Sequence, residues 1–305
     1  MRIGKGVSPM RRRRLLLAAA LVAPAFLIMV AVTAYPLLDS LYVSTVKWNL
    51  MKPQEGHPFI GFDNYVYILS DPNFWTSVKI TLAFGLMAVL LEIVLGLLIA
   101  LMLNRNFVGR PVIRMLALLP WAIPSVVNGI MWKWILNPRY GALNGFMLQL
   151  GLLHAPKDYI IWLGDTKLAL VMVVLADVWK ETPFIMLLFL AALQTIPADL
   201  YEAGRVDGAG SLNALFRITL PLIRPTLFVA VALRTIWALK SFDLIYTLTA
   251  GGPSGGTSVI GYYTYLQSFV SLNLGRGAAA AYLMTLVVMG LVIVYQRALY
   301  REVRY

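Results

Sequence analysis

Cysteine is absent from the 305 residues, which excludes disulfides, a thiol nucleophile and any thiolate metal site. Histidine is nearly absent as well. His57 and His154 stand alone in the chain, so an imidazole-based metal centre has no ligand set. Charge is scarce, at 13% of residues against about 25% in soluble domains. Acids are scarcest, 14 against 26 Lys and Arg. There is no GxxxxGK[ST] segment, and the glycine-rich GGPSGGT at 251–257 has no lysine. Any nucleotide chemistry therefore has to come from another polypeptide. Internal repeats and low-complexity tails are missing too.

What is present is apolar sequence. Hydrophobic residues make up 60% of the chain, well above the roughly 45–50% of soluble domains, as expected of an all-α polytopic membrane protein. A span needs about 20 mostly apolar residues. Six stretches qualify, at approximately 15–38, 77–103, 114–136, 167–194, 222–249 and 276–298. They predict a single transmembrane domain over 1–305.

Orientation follows from the Lys/Arg bias of short loops. Arg2, Lys5, Arg11 to Arg14, Arg105, Arg110, Arg114, Arg205, Arg217, Arg224, Arg297, Arg301 and Arg304 fall on one side, fifteen in all. Lys47, Lys52, Arg139, Lys157 and Lys167 fall on the other. Both termini are thus expected in the cytoplasm of a cell with a cytoplasmic membrane, and the even span count agrees. Much of the net charge of +12 is this topology signal, and no nucleic-acid partner is needed to explain it. Arg11 to Arg14 followed by an apolar run with APA at 23–25 also suits a cleaved signal peptide, but the apolar run extends past the usual length of such a segment.

Outside the spans, 39–76 is the first external segment, and FIGFDNYVYILSDPNFWTSV at 59–78 reads as a short amphipathic helix with aromatics at interfacial depth. Residues 137–166 and 250–275 are further external excursions bounded by turn signals. Inside the spans, Glu92 is a lone acid read as a helix–helix contact. Lys133, between Trp132 and Trp134, is read as snorkelling to the outer interface. Pro120 and Pro124 are expected to kink the third span.

Residues 197–221 interrupt the hydrophobic pattern with PADLYEAGRVDGAGSLNALFRITLP. Pro197 suits a helix start, with Asp199 in the first turn. Asp207-Gly208 is a turn signal, and Gly208, Ala209 and Gly210 remove side-chain bulk at the bend. Ser211 is positioned to cap a second short helix through Phe216. An amphipathic re-entrant loop and a docking surface both fit this hairpin.

Ionisable groups in mid-membrane are costly and default to a functional hypothesis. On the fourth span Asp177, Lys180, Glu181 and Phe184 follow i, i+3, i+4, i+7 and share a face. Lys180 is placed to pair with Asp177, and Pro183 lies beside them. The fifth span offers Arg234, Trp237, Ala238, Lys240, Ser241 and Asp243. These groups fit either a structural ion-pair network or a polar cavity with an aromatic platform, which a sugar needs because each dehydrated hydroxyl requires a partner.

EAGRVDGAG followed by ITLPLIRP resembles the EAA loop of ABC importer permeases, with Gly204 where the family pattern has its second alanine. APAFLIMVAVTAYPLLDSLYVS, DVWKETPF and FDLIYTLTAGGP extend the resemblance over essentially the whole chain, to the sugar-type permeases of maltose, trehalose and glycerol-phosphate importers. It implies a type I importer permease fold that catalyses no bond chemistry and binds no cofactor itself, ATP and Mg being held by a partner ATPase. It implies a second homologous permease, two ATPase subunits, an extracytoplasmic solute-binding protein and the lipid bilayer as partners. It makes the hairpin a coupling helix contacting the ATPase through Glu202, Ala203, Gly204, Asp207, Gly208 and Ala209, with Gly210 beside them. It places substrate on Asp177, Lys180, Glu181, Phe184, Arg234, Trp237, Ser241 and Asp243, with Ala238 as wall. A neutral disaccharide such as trehalose or maltose is the expected cargo, and a glycerol-phosphate-type anion the alternative. An ion-coupled secondary transporter and an intramembrane enzyme are the rival classes. The missing cysteine, embedded histidine and paired metal ligands count against the enzyme.

Overall fold

The structure, a computed structural model, describes residues 9–299. Arg2, Lys5, Arg301 and Arg304, part of the charge argument for orientation, lie outside the described residues. In chain order the helices are α1 (Pro9–Ser44), α2 (Asp63–Ser70), α3 (Pro72–Asn104), α4 (Arg110–Ala122), α5 (Ser125–Ile135), α6 (Ala142–Gln149), α7 (Thr166–Gln194), α8 (Ala198–Val206), α9 (Ser211–Ala214), α10 (Leu220–Leu239), α11 (Asp243–Leu248), α12 (Ile260–Tyr265) and α13 (Leu274–Leu299). Strand pairing among the described residues is limited to two isolated bridges, Val46 with Phe59 and Asn49 with Asn273. The all-α expectation holds.

Four stretches are each long and apolar enough to cross a bilayer: Leu16–Ser44, Pro72–Asn104, Ser211–Leu239 and Leu274–Val294. The bent pairs α4 with α5 and α7 with α8 raise the number to as many as six. Local chemistry sets the long helices' starts. The Asp71 carboxylate accepts from the Asn73 N–H at 2.9 Å and Pro72 occupies the first turn of α3. Asp165 caps α7 by accepting from the N–H groups of Lys167 and Leu168, both at 2.9 Å.

Two spans depart from the continuous helices that hydropathy predicts. Pro124 drives Ile123 into extended backbone (φ −76°, ψ 128°), and α4 and α5 meet at 94°. The expected kink is a break. The stretch 222–249 is divided as well, because α10 ends at Leu239 and α11 begins at Asp243. Non-helical backbone at membrane depth is tolerated where protein or a polar cavity satisfies it, and both breaks border one cavity.

The core lies between α3 and α7, with α10 laid across them. A Cβ on Gly96 would stand 2.7 Å from the Ile185 side chain and 3.1 Å from the Met186 backbone nitrogen, so a larger residue there would push α3 off α7. By contrast, α1 turns most of its apolar surface outward and packs chiefly on α13. The Tyr282 hydroxyl ties them by donating to the Leu37 carbonyl at 2.5 Å.

Candidate functional site

A cavity of about 200 Å³ opens where α5, α7, α10 and α11 converge. Asp177, Lys180, Glu181, Arg234, Trp237, Ser241 and Asp243 line it, joined by Ser125, Asn128, Lys240 and Phe242. Seven of the eight residues expected to face substrate thus come together. Phe184 does not line the cavity. Its ring lies 5.0 Å from that of Trp237 and 5.6 Å from that of Trp121, which makes it a support for the Trp237 platform. Ala238 is buried against the α3–α7 core.

The ion pairs differ from the local rule. Lys180 does not reach back to Asp177. Its Nζ donates to Glu181 Oε1 at 2.6 Å. Asp177 instead accepts from Arg234 Nη2 at 2.7 Å. Arg234 also donates through Nε and Nη2 to the carboxylate of Glu92, so Glu92 is no lone acid but part of this cluster. Asp177 thus pairs with an arginine 57 positions away in sequence rather than with the lysine one turn along its own helix, and the same guanidinium fork meets Glu92, 142 positions away, in two places. The helix–helix contact expected of Glu92 is real, and Arg234 on α10 is its counterpart.

The ionisable groups accordingly form two layers. The inner layer is Glu92, Arg234 and Asp177, at 0%, 2% and 7% exposure, with the guanidinium shared by two carboxylates. Such a cluster is already satisfied and has little left to offer a ligand. The outer layer is the Lys180–Glu181 pair together with Ser241, Lys240 and Asp243. Lys240 and Asp243 are exposed and make no ion pair among the described residues. With Glu92 included, four acids face three bases.

The hairpin forms a second candidate surface. α8 ends in an αL cap: Gly208 has φ +81°, its N–H donates to the Arg205 carbonyl at 3.1 Å, and the Ala209 N–H donates to the Gly204 carbonyl at 2.8 Å. Tyr201 and Thr219 hydroxyls, 3.0 Å apart, tie the two arms. Ser211 does not cap the second arm. Gly210 holds the capping position without a side-chain bond, and Ser211 is the first helical residue. Nor is that arm a separate helix. It runs from Ser211 through a wider-wound stretch, Leu215–Thr219, into α10 and on to Leu239, with Pro221 and Pro225 inside it.

Of the expected contact positions, Glu202, Ala203, Asp207, Gly208 and Gly210 are exposed, while Gly204 and Ala209 are half-buried. Gly204 faces the hairpin's own second arm, where a Cβ would stand 2.9 Å from Ile218 Cδ1. Sequence reasoning passed over Val206, Leu212 and Phe216, exposed at 87%, 72% and 64%. Val206, beside the Asp207-Gly208 turn signal, was the available clue. Asn128 and Ser125 were missed because they sit in an otherwise apolar stretch, with Pro124 as the only hint.

The family described as binding-protein-dependent transport system inner membrane component matches residues 92–305. The trehalose/maltose transport system permease protein MalF of Thermococcus litoralis is 39% identical over 94% of this chain and 95% of its own. The sulfoquinovosyl glycerol transport system permease protein SmoG of Agrobacterium fabrum is 37% identical over 92% of this chain and 90% of its own. Among solved structures, a chain from a bacterial ABC transporter involved in the import of the acidic polysaccharide alginate superposes with a TM-score of 0.80 at 26% identity, covering 96% of this chain and 98% of that one.

Proposed function

The chain belongs to the family of binding-protein-dependent transport system inner membrane components, and on that footing we propose that it is the permease subunit of an ATP-driven importer of a neutral sugar, of the trehalose or maltose kind. The observation that carries the sugar reading is the layered cavity. An apolar bundle encloses donors and acceptors of both signs beside a half-exposed tryptophan, Trp237. Hydroxyls stripped of water need such partners, and a sugar ring's C–H face suits an aromatic plane. Four acids against three bases disfavour an anionic cargo.

The size of the cavity bears on the assembly. Small-molecule sites run to roughly 300–1,000 Å³, and about 200 Å³ is part of such a site. A second, homologous permease supplies the remainder in this reading. Two ATPase subunits bind ATP and Mg, and this chain binds neither. The hairpin from Pro197 to Pro221 faces the cytoplasm, as do both termini, and seats in the ATPase through Glu202, Asp207, Gly208 and the apolar Val206, Leu212 and Phe216. A solute-binding protein delivers sugar from outside.

Transport follows as alternating access. The second hairpin arm and α10 are one helix, so displacement of the hairpin by the closing ATPase moves Arg234, and with it Glu92 and Asp177, as a unit. ATP closure opens the cavity outward, and hydrolysis with product release returns it inward. The test is reconstitution of the complex in vesicles with labelled trehalose and maltose. Uptake should require ATP and the binding protein and persist when ion gradients are collapsed. Uptake driven by a proton or sodium gradient without ATP would overturn the proposal.

A further inference from the structure

α5 brings to the cavity a group that neither the charge pattern of the spans nor the hairpin requires. Because the chain breaks at Pro124, this helix starts at the edge of the cavity, with Ser125 and Asn128 of its first turn in the cavity wall. Asn128 is fully buried. Its Nδ2 donates to the Ala176 carbonyl of α7 at 3.1 Å. That carbonyl only accepts, so the contact settles which end of the amide faces α7. Oδ1 is left without a partner among the described residues. Buried polar atoms are rarely orphaned, and those that are call for an explanation.

The rest of the turn points the same way. Asn128 N–H bonds the Pro124 carbonyl at 2.9 Å, but the N–H groups of Ser125 to Val127 have no acceptor within the helix, and Pro124 offers no side-chain cap. The helix is held in place by its contact with α11. A Cβ on Gly129 would stand 1.8 Å from Thr247 Oγ1, so only glycine allows this approach.

We propose that Asn128 is a substrate-binding residue, its Oδ1 accepting a hydrogen bond from a sugar hydroxyl while the open first turn of α5 donates to a substrate oxygen beside it. This rests on the sugar-import reading and adds a third wall, and a selection rule, to the same site. A helix start alone favours anions. Next to an orphaned acceptor it favours a group that both donates and accepts. A hydroxyl does so, whereas carboxylates, sulfonates and doubly ionised phosphates only accept. The wall therefore selects neutral, hydroxyl-bearing rings over anionic ones.

The test compares the reconstituted wild-type complex with Asn128→Leu in ATP-dependent uptake of maltose, trehalose, their monodeoxy derivatives and sulfoquinovosyl glycerol. In the wild type, at least one monodeoxy sugar should be taken up about tenfold less efficiently than its parent. In Asn128→Leu that penalty should shrink to about twofold or less, while penalties at other ring positions remain. Each penalty is a ratio within one variant, so a lower yield of complex does not enter it. Asn128→Ser, smaller and still carrying an acceptor, serves if leucine blocks assembly, and should give an intermediate penalty. Unchanged deoxy penalties in both variants would overturn the assignment and leave sugar import standing. Wild-type preference for sulfoquinovosyl glycerol over both neutral sugars would overturn the selection rule. Absence of ATP-dependent uptake of any sugar by the wild type would overturn the import reading itself, and this inference with it.

Discussion

Arg234 on α10 and Glu92 on α3 are joined by two hydrogen bonds, from Nε and Nη2, and the same Nη2 also holds Asp177 of α7 at 2.7 Å. Three helices therefore meet at one guanidinium that is 2% exposed. Removing it leaves two buried carboxylates facing each other, and breaking a buried pair costs about 3–5 kcal/mol. Arg234→Met is expected to lower thermal stability of the purified subunit sharply. Glu92→Gln, which leaves the Arg234–Asp177 contact and an amide oxygen for the guanidinium, should cost markedly less. Thermal unfolding of the two variants in detergent checks the order, and equal or reversed losses would count against a structural cluster.

The outer layer should behave differently. Ser241→Ala and Trp237→Ala leave the Arg234 cluster intact, so they should spare assembly and raise the sugar concentration needed for half-maximal uptake. About tenfold is expected for the loss of the Trp237 platform. Arg234→Met should instead reduce the amount of assembled complex. Titrating sugar against uptake, normalised to complex present, separates the two effects.

The hairpin gives a third expectation. Gly208 sits at φ +81°, where a side chain costs about 1–2 kcal/mol. Gly208→Val should weaken co-purification with the ATPase while leaving the membrane bundle folded. Val206→Asp and Phe216→Asp, which place charge on exposed apolar positions, should do so without strain. Retention of the ATPase by all three variants would remove the hairpin as the docking site.

A size swap tests the packing of α5 on α11. Gly129→Ala forces a Cβ into Thr247, and overpacking of this kind costs about 1–3 kcal/mol. Thr247→Gly removes the two nearest opposing atoms, and the next, the Leu244 carbonyl, stands at 3.5 Å. The double variant should recover most of the stability lost in Gly129→Ala, as read by thermal unfolding.

Hydropathy picked out the long apolar helices because about 20 apolar residues in a row have few other uses. It could not see the breaks at 123–124 and 240–242, since averaging over a window erases two or three non-helical residues. Helical periodicity put Asp177, Lys180 and Glu181 on one face, and the structure keeps them together. It misassigned the partner of Asp177, because one-dimensional spacing ranks Lys180 above an arginine 57 positions away. The acid on α3 looked isolated for the same reason. Asn128 carried no periodic or charge signal, and its importance appears only in the unpartnered Oδ1.

The absence of cysteine makes the most direct measurement of coupling straightforward. A single Ser241→Cys in the assembled complex, reconstituted with its outer face exposed, is reacted with a membrane-impermeant maleimide with and without nucleotide trapping by ATP and vanadate. Labelling at position 241 should rise on trapping, and the rise should vanish when Val206→Asp is added on the hairpin. Labelling that ignores trapping, or a rise that survives the hairpin substitution, would contradict transmission of ATPase closure through residues 198–239 to the sugar cavity.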